Sequence, residues 1–202
     1  MPDPAHTRDT LRARLGEARV GIAGLGGLGS NVAWMLVRSG VKRLVLVDFD
    51  VIDETNLDRQ FYFADQIGRM KADALSENLL RISPDLELEA HAVRITPENF
   101  AELFAGVDVF VEAGDRPEAK ASMMTLCSYH LPGVPIVGAS GLAGFGPAND
   151  ITTQQIAEGV YVVGDFTSAV DAEHPLVAGR VALAAAHEAL LVVRLLLGCP
   201  TP

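Results

Sequence analysis

A cluster of glycines between two apolar runs constrains the fold of this chain more than any other feature of its sequence. The stretch GIAGLGGLGSNVAWML, residues 21–36, contains five glycines. Glycine inside a helix or strand costs about 0.5–1 kcal/mol relative to alanine, so such a cluster indicates a turn whose backbone must come close to another group. The apolar run before the glycines predicts a buried strand, and the run after them predicts a helix.

The spacing of these glycines predicts a nucleotide-binding turn. Gly24, Gly26 and Gly29 fit the motif G-x-G-x-x-G between a strand and a helix, and Gly27 adds a further position without a side chain. Backbone N–H groups and the positive end of a helix can meet a phosphate only where no Cβ intervenes. Asp48 ends the next apolar strand, where it can accept hydrogen bonds from ribose hydroxyls. A tight turn without a ligand is the alternative.

Strands and helices alternate along most of the chain. The predicted strands span residues 19–24, 43–48, 86–95, 107–114, 134–141, 151–156 and 159–166, and the predicted helices span residues 7–17, 30–40, 71–82, 96–104, 116–130 and 177–198. This alternation predicts a right-handed βαβ series, and therefore an α/β, Rossmann-like fold with a mostly parallel sheet covered by helices on both faces. The last two strands are expected to form an antiparallel C-terminal extension. We expect residues 1–202 to form a single nucleotide-binding domain.

Composition excludes several classes of function. A formal net charge of −10 argues against binding to the phosphate backbone of a nucleic acid. The N-terminus lacks the apolar core of a signal peptide, and charged side chains interrupt the apolar stretch 177–198, so no membrane segment is expected. The chain has only two cysteines, Cys127 and Cys199, which favours a reducing compartment and a cytoplasmic location.

A second motif follows the second strand, in VDFDVIDETNLDRQFYFADQIGRMKADAL, residues 47–75. It combines D-F-D, N-L-x-R-Q and G-x-x-K at fixed separations after the glycine turn. Together these motifs resemble the ThiF/MoeB type of ubiquitin-activating-like adenylyltransferases, and the match is closest to the short ThiF-like proteins of thiamine biosynthesis. The resemblance covers about residues 18–145 and, more loosely, the C-terminal helix.

The resemblance implies ATP- and Mg²⁺-dependent adenylation of the C-terminal glycine carboxylate of a ubiquitin-like sulfur carrier protein, with release of pyrophosphate. It assigns Asn56 and Arg59 to the triphosphate and Lys71 to the region of the α-phosphate. Asp115 would hold the magnesium ion, because hard cations prefer oxygen ligands. Asp50 would either support the magnesium ion or position Arg59. Arg59, Lys71 and Asp115 are therefore the predicted catalytic residues.

Each assignment has a simpler alternative. Arg59 and Lys71 could be solvated surface charges, and Asp115 could be the N-cap of the following helix. Two other functions stay open. The glycine turn and Asp48 alone would support an NAD-dependent oxidoreductase, and a catalytically silent carrier-binding subunit could retain the fold.

The number and positions of the cysteines differ from those in many members of the family that the chain resembles. The chain has no C-x-x-C pair, so the zinc site that many relatives carry is not expected. The loop 167–176, where many relatives carry a cysteine for thioester or persulfide chemistry, has none. Cys127 lies in an apolar helix, where a small core residue is the expected role. We therefore expect adenylation without covalent transfer of the carrier to this chain.

Three other segments bear on the site. Arg116 stands where relatives often have asparagine after the magnesium-binding acid, and it could contact phosphate or face solvent. The glycine-rich stretch 138–146 could let the carrier tail pass closely, or be a plain loop. The resemblance also implies a homodimer in which an N-terminal arginine of the partner can complete the site; Arg8, Arg12 and Arg14 lie on a suitable predicted helix, and none matches a motif.

Overall fold

The structure, a computed structural model, describes residues 7–115 and 117–201, with side chains described for all of these except 117–119. The strands are β1 (Arg19–Ala23), β2 (Arg43–Val47), β3 (Glu87–His91), β4 (Val109–Glu112), β5 (Ile136–Ala139), β6 (Thr152–Ala157) and β7 (Val160–Gly164). The helices are α1 (Arg8–Glu17), α2 (Gly27–Ser39), α3 (Lys71–Leu80), α4 (Pro97–Leu103), α5 (Pro117–His130) and α6 (Ala178–Leu196).

The strands form one seven-stranded sheet in the order β3-β2-β1-β4-β5-β7-β6. All neighbouring pairs are parallel except β6 and β7, which are antiparallel. This confirms the predicted Rossmann-like α/β fold and its antiparallel C-terminal extension. Ala23 is paired with Val47 and with Glu112 in the register of the sheet, so β1, β2 and β4 end at the same edge. The glycine turn, Asp48 and Asp115 follow these three ends.

Alternation along β1 separates the two faces of the sheet. Val20 and Ile22 point into the core formed with α2 and α6, whereas Ala23 belongs to the core on the opposite face. Gly21 lies on that opposite face, where a Cβ would stand 2.7 Å from a ring carbon of Phe104. This glycine therefore makes room for an aromatic ring and has no place in the predicted ligand site.

Helices α4 and α5 cover that opposite face, where an aromatic cluster lies between α4 and β4. The rings of Phe100, Phe104 and Phe110 lie with centroids 4.9–5.4 Å apart. Cys127 is fully buried beside them, and burial raises the pKa of its thiol to about 12, which confirms its predicted role as a core residue.

The predicted elements are present with small differences at their ends. Helix α2 begins at Gly27, three residues before the predicted start, because the last glycines of the motif already have helical backbone. Strand β3 stops at His91, short of the predicted residue 95. Within the part of the chain that the structure describes, no helix combines the length and the apolar character that crossing a membrane requires.

Candidate nucleotide-binding site

Two glycines of the motif are required by the fold itself. Gly24 has φ +91°, and a Cβ there would lie 2.8 Å from the carbonyl oxygen of Ala113 after β4. A Cβ on Gly29 would lie only 1.9 Å from the carbonyl oxygen of Gly24. These two positions let β1, β4 and the start of α2 approach one another, which is the close packing that the motif supplies in nucleotide-binding folds.

The remaining two glycines differ, because Gly27 is packed against other side chains whereas Gly26 is open. A Cβ on Gly26 would have only the Gln60 side chain within 4 Å, at 3.8 Å. A Cβ on Gly27 would touch Val181 of α6 at 3.0 Å and the aliphatic part of Arg59 at 3.7 Å. Internal packing therefore does not require a glycine at position 26. An open backbone at this position is what a phosphate cradle at a helix N-terminus requires.

Asp48 locks the glycine turn to the end of β2. Its Oδ2 accepts the backbone N–H of Leu25 at 2.6 Å, and its Oδ1 accepts that of Asp50 at 2.8 Å. Burial raises the pKa of this carboxyl, while the two N–H groups and the nearby Lys71 ammonium oppose that shift. Because a carboxylate has about four acceptor positions, each oxygen retains capacity for a ribose hydroxyl.

The N-L-x-R-Q segment is fastened directly onto the glycine turn. The Asn31 side chain, in the first turns of α2, donates to the carbonyl of Gly27 at 2.7 Å and to that of Arg59 at 2.9 Å. The Tyr62 hydroxyl donates to the carbonyl of Leu25 at 2.8 Å. The two motifs, separated in sequence, thus form one structural unit.

Ser30 adds a further link between these motifs. Its hydroxyl donates to the carbonyl of Gly26 at 2.6 Å and accepts the N–H of Phe61 at 3.0 Å. Sequence reasoning missed Ser30, Asn31 and Tyr62. Two adjacent polar residues at the start of an apolar helix were the available signal for Ser30 and Asn31.

Arg59 and Lys71 are both held by carboxylates near the turn. The Arg59 guanidinium donates to Asp58 Oδ1 at 2.7 Å and to the carbonyl of Thr55 at 3.0 Å. The Lys71 ammonium donates to Asp50 Oδ2 at 3.1 Å, and its side chain is only 8% exposed. Lys71 is therefore no solvated surface charge. Asp50 pairs with Lys71, and the alternative in which it positions Arg59 is not the observed arrangement.

Asn56 shapes the loop that carries Arg59. Its Oδ1 accepts the N–H of Asp53 at 3.1 Å, and its carbonyl accepts the N–H of Gln60 at 2.9 Å. The first bond caps the short 3₁₀ turn Glu54–Asn56, and the second links the end of that turn to Gln60. The Gln60 Oε1 is buried and receives no hydrogen bond from the residues that the structure describes, so this side chain beside Gly26 has capacity to bond a ligand.

Asp115 emerges from the same edge of the sheet. It is exposed and lies three residues after the end of β4. Ala113, the first residue after β4, donates its N–H to the carbonyl of Ala23 at 2.8 Å. Helix α5 begins at Pro117, and the expectations for Arg116 lie outside the described residues. One exposed carboxylate beside a phosphate cradle fits Mg²⁺, which proteins commonly hold with one or two carboxylates and the phosphates of the substrate.

Across residues 7–115 and 117–201, no group of three or more His, Cys, Asp or Glu side chains could hold a metal ion. A magnesium ion at Asp115 would take its other ligands mainly from phosphate oxygens and water.

The arginines of α1 lie at the opposite edge of the sheet. Arg12 packs against Gly40, at the C-terminal end of α2, whereas the glycine turn is at the N-terminal end of that helix. At about 1.5 Å per residue, the two ends of α2 are roughly 20 Å apart. The α1 arginines of this chain therefore do not reach its own glycine turn.

Sequence comparison assigns the family. A model of the ThiF family matches residues 4–202. The chain belongs to the ThiF family.

Curated relatives of this ThiF-family chain act in different contexts. The tRNA threonylcarbamoyladenosine dehydratase of Haemophilus influenzae is 36% identical over 155 residues, covering 76% of this chain and 57% of that protein. The ubiquitin-like modifier-activating enzyme 5 of Arabidopsis thaliana is 34% identical over 131 residues, covering 57% of this chain and 30% of that protein. The ThiF-family chain thus spans little more than half, or less, of these relatives.

Solved structures share the fold of this ThiF-family chain. The Escherichia coli dehydratase TcdA in complex with AMP has a TM-score of 0.85 at 20% identity, covering 94% of this chain and 90% of that one. E. coli MccB with ATP has a TM-score of 0.71 at 23% identity, covering 92% and 58% of the two chains.

Proposed function

We propose that this ThiF-family chain adenylates a carboxylate with ATP and Mg²⁺, and that the carboxylate is the C-terminal glycine of a ubiquitin-like sulfur carrier protein. A carboxylate oxygen attacks the α-phosphorus, the bond from that phosphorus to the β-phosphate oxygen breaks, and pyrophosphate leaves. The product is a carrier acyl-adenylate.

One observation carries the proposal: the N-L-x-R-Q segment is hydrogen-bonded onto the glycine turn. Asn31 bridges the carbonyls of Gly27 and Arg59, and the stem of Arg59 lies against Gly27. The glycine turn and Asp48 alone would also suit a dinucleotide, whereas cations beside the turn favour the more highly charged triphosphate. The arginine fork suits phosphate oxygens.

The two cations have distinct proposed roles. Arg59 exchanges its bond to Asp58 for phosphate oxygens and helps hold the leaving pyrophosphate. Lys71, buried beside Asp50, neutralises charge that develops at the α-phosphate. Asp115 would hold a magnesium ion, which when bound neutralises charge on the phosphates.

A protein substrate is favoured over a tRNA substrate by charge. The dehydratase relative is named for a modified tRNA nucleoside, and that nucleoside is the second candidate substrate. The net charge of −10 on this chain opposes binding of a polyanion and favours a protein tail. We further propose a cytoplasmic homodimer acting in thiamine (thiazole) biosynthesis, on the strength of the family resemblance.

Pyrophosphate exchange tests the adenylation step. The purified chain is incubated with ATP, Mg²⁺, labelled pyrophosphate and a ubiquitin-like sulfur carrier from the same organism. Carrier-dependent incorporation of label into ATP is expected. A carrier lacking its C-terminal glycine is the matched control and should give no exchange. Absence of exchange with every such carrier of the organism, despite ATP binding, would favour the silent subunit.

Three further measurements test the nucleotide, the pathway and the dimer. Thermal stabilisation by ATP with Mg²⁺ should exceed stabilisation by NADH at the same concentration, because the more tightly bound ligand stabilises the folded state more. The opposite order would favour the oxidoreductase. Requirement for a thiazole precursor after gene deletion would support the thiamine role, and light scattering of the pure chain would test the dimer.

A further inference from the structure

Glu112 is a buried carboxylate that the proposed reaction does not use. It is the last residue of β4 and is completely inaccessible to solvent. Its Oε1 accepts the N–H of Gly114 at 2.8 Å, and a Cβ on Gly114 would lie 2.8 Å from the same oxygen. Glu112 therefore fixes the backbone immediately before Asp115.

Lys120 holds this carboxylate from the neighbouring helix. Its ammonium donates to Glu112 Oε2 at 3.2 Å and to the carbonyl of Ala139 at 3.1 Å. Lys120 is the fourth residue of α5, and Ala139 ends β5. One side chain thus ties together β4, β5 and α5, the three elements that surround the Asp115 turn.

The charge on Lys120 also balances buried acids. Burial raises the pKa of Glu112, and the Lys120 ammonium opposes that shift. Lys120 likewise lowers the pKa of Glu188, a fully buried residue of α6. Removing the ammonium would leave Glu112 without its compensating charge, which is costly in a buried site.

We propose that Lys120 is a positioning residue for magnesium: through Glu112 and the Gly114 N–H it sets the direction in which Asp115 is presented to the metal. The inference rests on the proposed function, in which Asp115 holds magnesium with the phosphates of ATP. Residues behind a metal ligand commonly change metal affinity by 10–100-fold when removed.

The test measures the Mg²⁺ concentration that gives half-maximal thermal stabilisation of the full chain by saturating ATP. Lys120→Gln should require about tenfold more Mg²⁺ than the wild type. Lys120→Arg keeps the charge and should recover the wild-type midpoint to within about threefold. Lys42→Gln is the matched control, because Lys42 pairs with Asp85 on an exposed part of the molecule. It should leave the midpoint unchanged.

The outcomes separate this inference from the proposed function. A wild-type midpoint for Lys120→Gln, or a loss of ATP affinity that is equal at all Mg²⁺ concentrations, overturns the positioning role. A wild-type chain that ATP does not stabilise at any Mg²⁺ concentration overturns the nucleotide site itself. If Lys120→Gln does not fold, the double variant Glu112→Gln/Lys120→Met gives the same readout, because it leaves neither charge buried alone.

Discussion

The backbone N–H of Leu25 donates to Asp48 Oδ2 over 2.6 Å, so the acid that ends β2 holds the glycine turn that follows β1. Asp48 would therefore act twice, once in the fold and once toward a nucleotide. Its second oxygen accepts the N–H of Asp50, whose carboxylate in turn holds Lys71. A change at Asp48 is expected to disturb the turn and the lysine together.

Asp48→Ala removes the acceptor of two backbone N–H groups and should lower the free energy of unfolding by about 2–4 kcal/mol. Asp48→Asn retains one acceptor and should cost less. Urea denaturation measures both, and Asp65→Asn, at an exposed position, is the control. Both Asp48 variants should also lose stabilisation by ATP; wild-type stability in Asp48→Ala would contradict the structural role.

Two glycine variants separate packing from ligand binding. Gly29→Ala places a Cβ 1.9 Å from the carbonyl oxygen of Gly24, so the folded state should be destabilised by several kcal/mol. Gly26→Ala meets only a side chain at 3.8 Å, so its melting temperature should stay close to that of the wild type. Because the added Cβ enters the proposed phosphate cradle, Gly26→Ala should bind ATP at least about tenfold more weakly. Calorimetry with ATP would show this, and full ATP affinity in Gly26→Ala would remove that position from the cradle.

Arg59→Ala and Lys71→Ala should each lower carrier-dependent exchange by about 10²–10³-fold, the usual loss when one group that stabilises a transition state is removed. Arg69→Ala is the matched control, since Arg69 lies between them in sequence and forms a half-exposed ion pair with Glu77. It should retain nearly full activity. Near-normal exchange in either test variant would exclude that residue from the reaction.

Glu188 should make stability depend on pH. Burial raises the pKa of its carboxyl to about 8, with Lys120 opposing the shift and Glu112 adding to it. The folded state therefore holds a proton that the unfolded chain releases near pH 4.5, so this group costs stability as pH rises from that value to about 8.

The glutamine side chain of the Glu188→Gln variant cannot ionise, so this variant does not lose stability in that way as the pH rises. Relative to the wild type, its free energy of unfolding should rise by about 2 kcal/mol between pH 6 and pH 8. Urea denaturation at both pH values measures the difference, and Glu77→Gln serves as the surface control. A constant difference between Glu188→Gln and the wild type at the two pH values would show that Glu188 does not titrate in this range.

Local sequence was sufficient to predict the helices and strands and to identify the two motifs. The glycines, the apolar strands and Asp48 are close in sequence, and the parallel alternation places the ends of β1, β2 and β4 at one edge. Cys127 was predicted as a core residue from its apolar helix, and its burial confirms this. The roles of Arg59, Lys71 and Asp115 in a reaction stay predictions.

Contacts between side chains of separate structural elements could not be predicted from local sequence. The pairing of Asp50 with Lys71, the bridge from Asn31 to Arg59 and the bond from Lys120 to Glu112 each depend on the relative placement of separate elements. The sequence by itself determined where the glycine turn lies and where strands and helices alternate, because both follow from local motif spacing and hydrophobic periodicity. Only the tertiary structure decided which carboxylate holds which cation, because ion pairs depend on distances of a few ångströms between elements far apart in the chain.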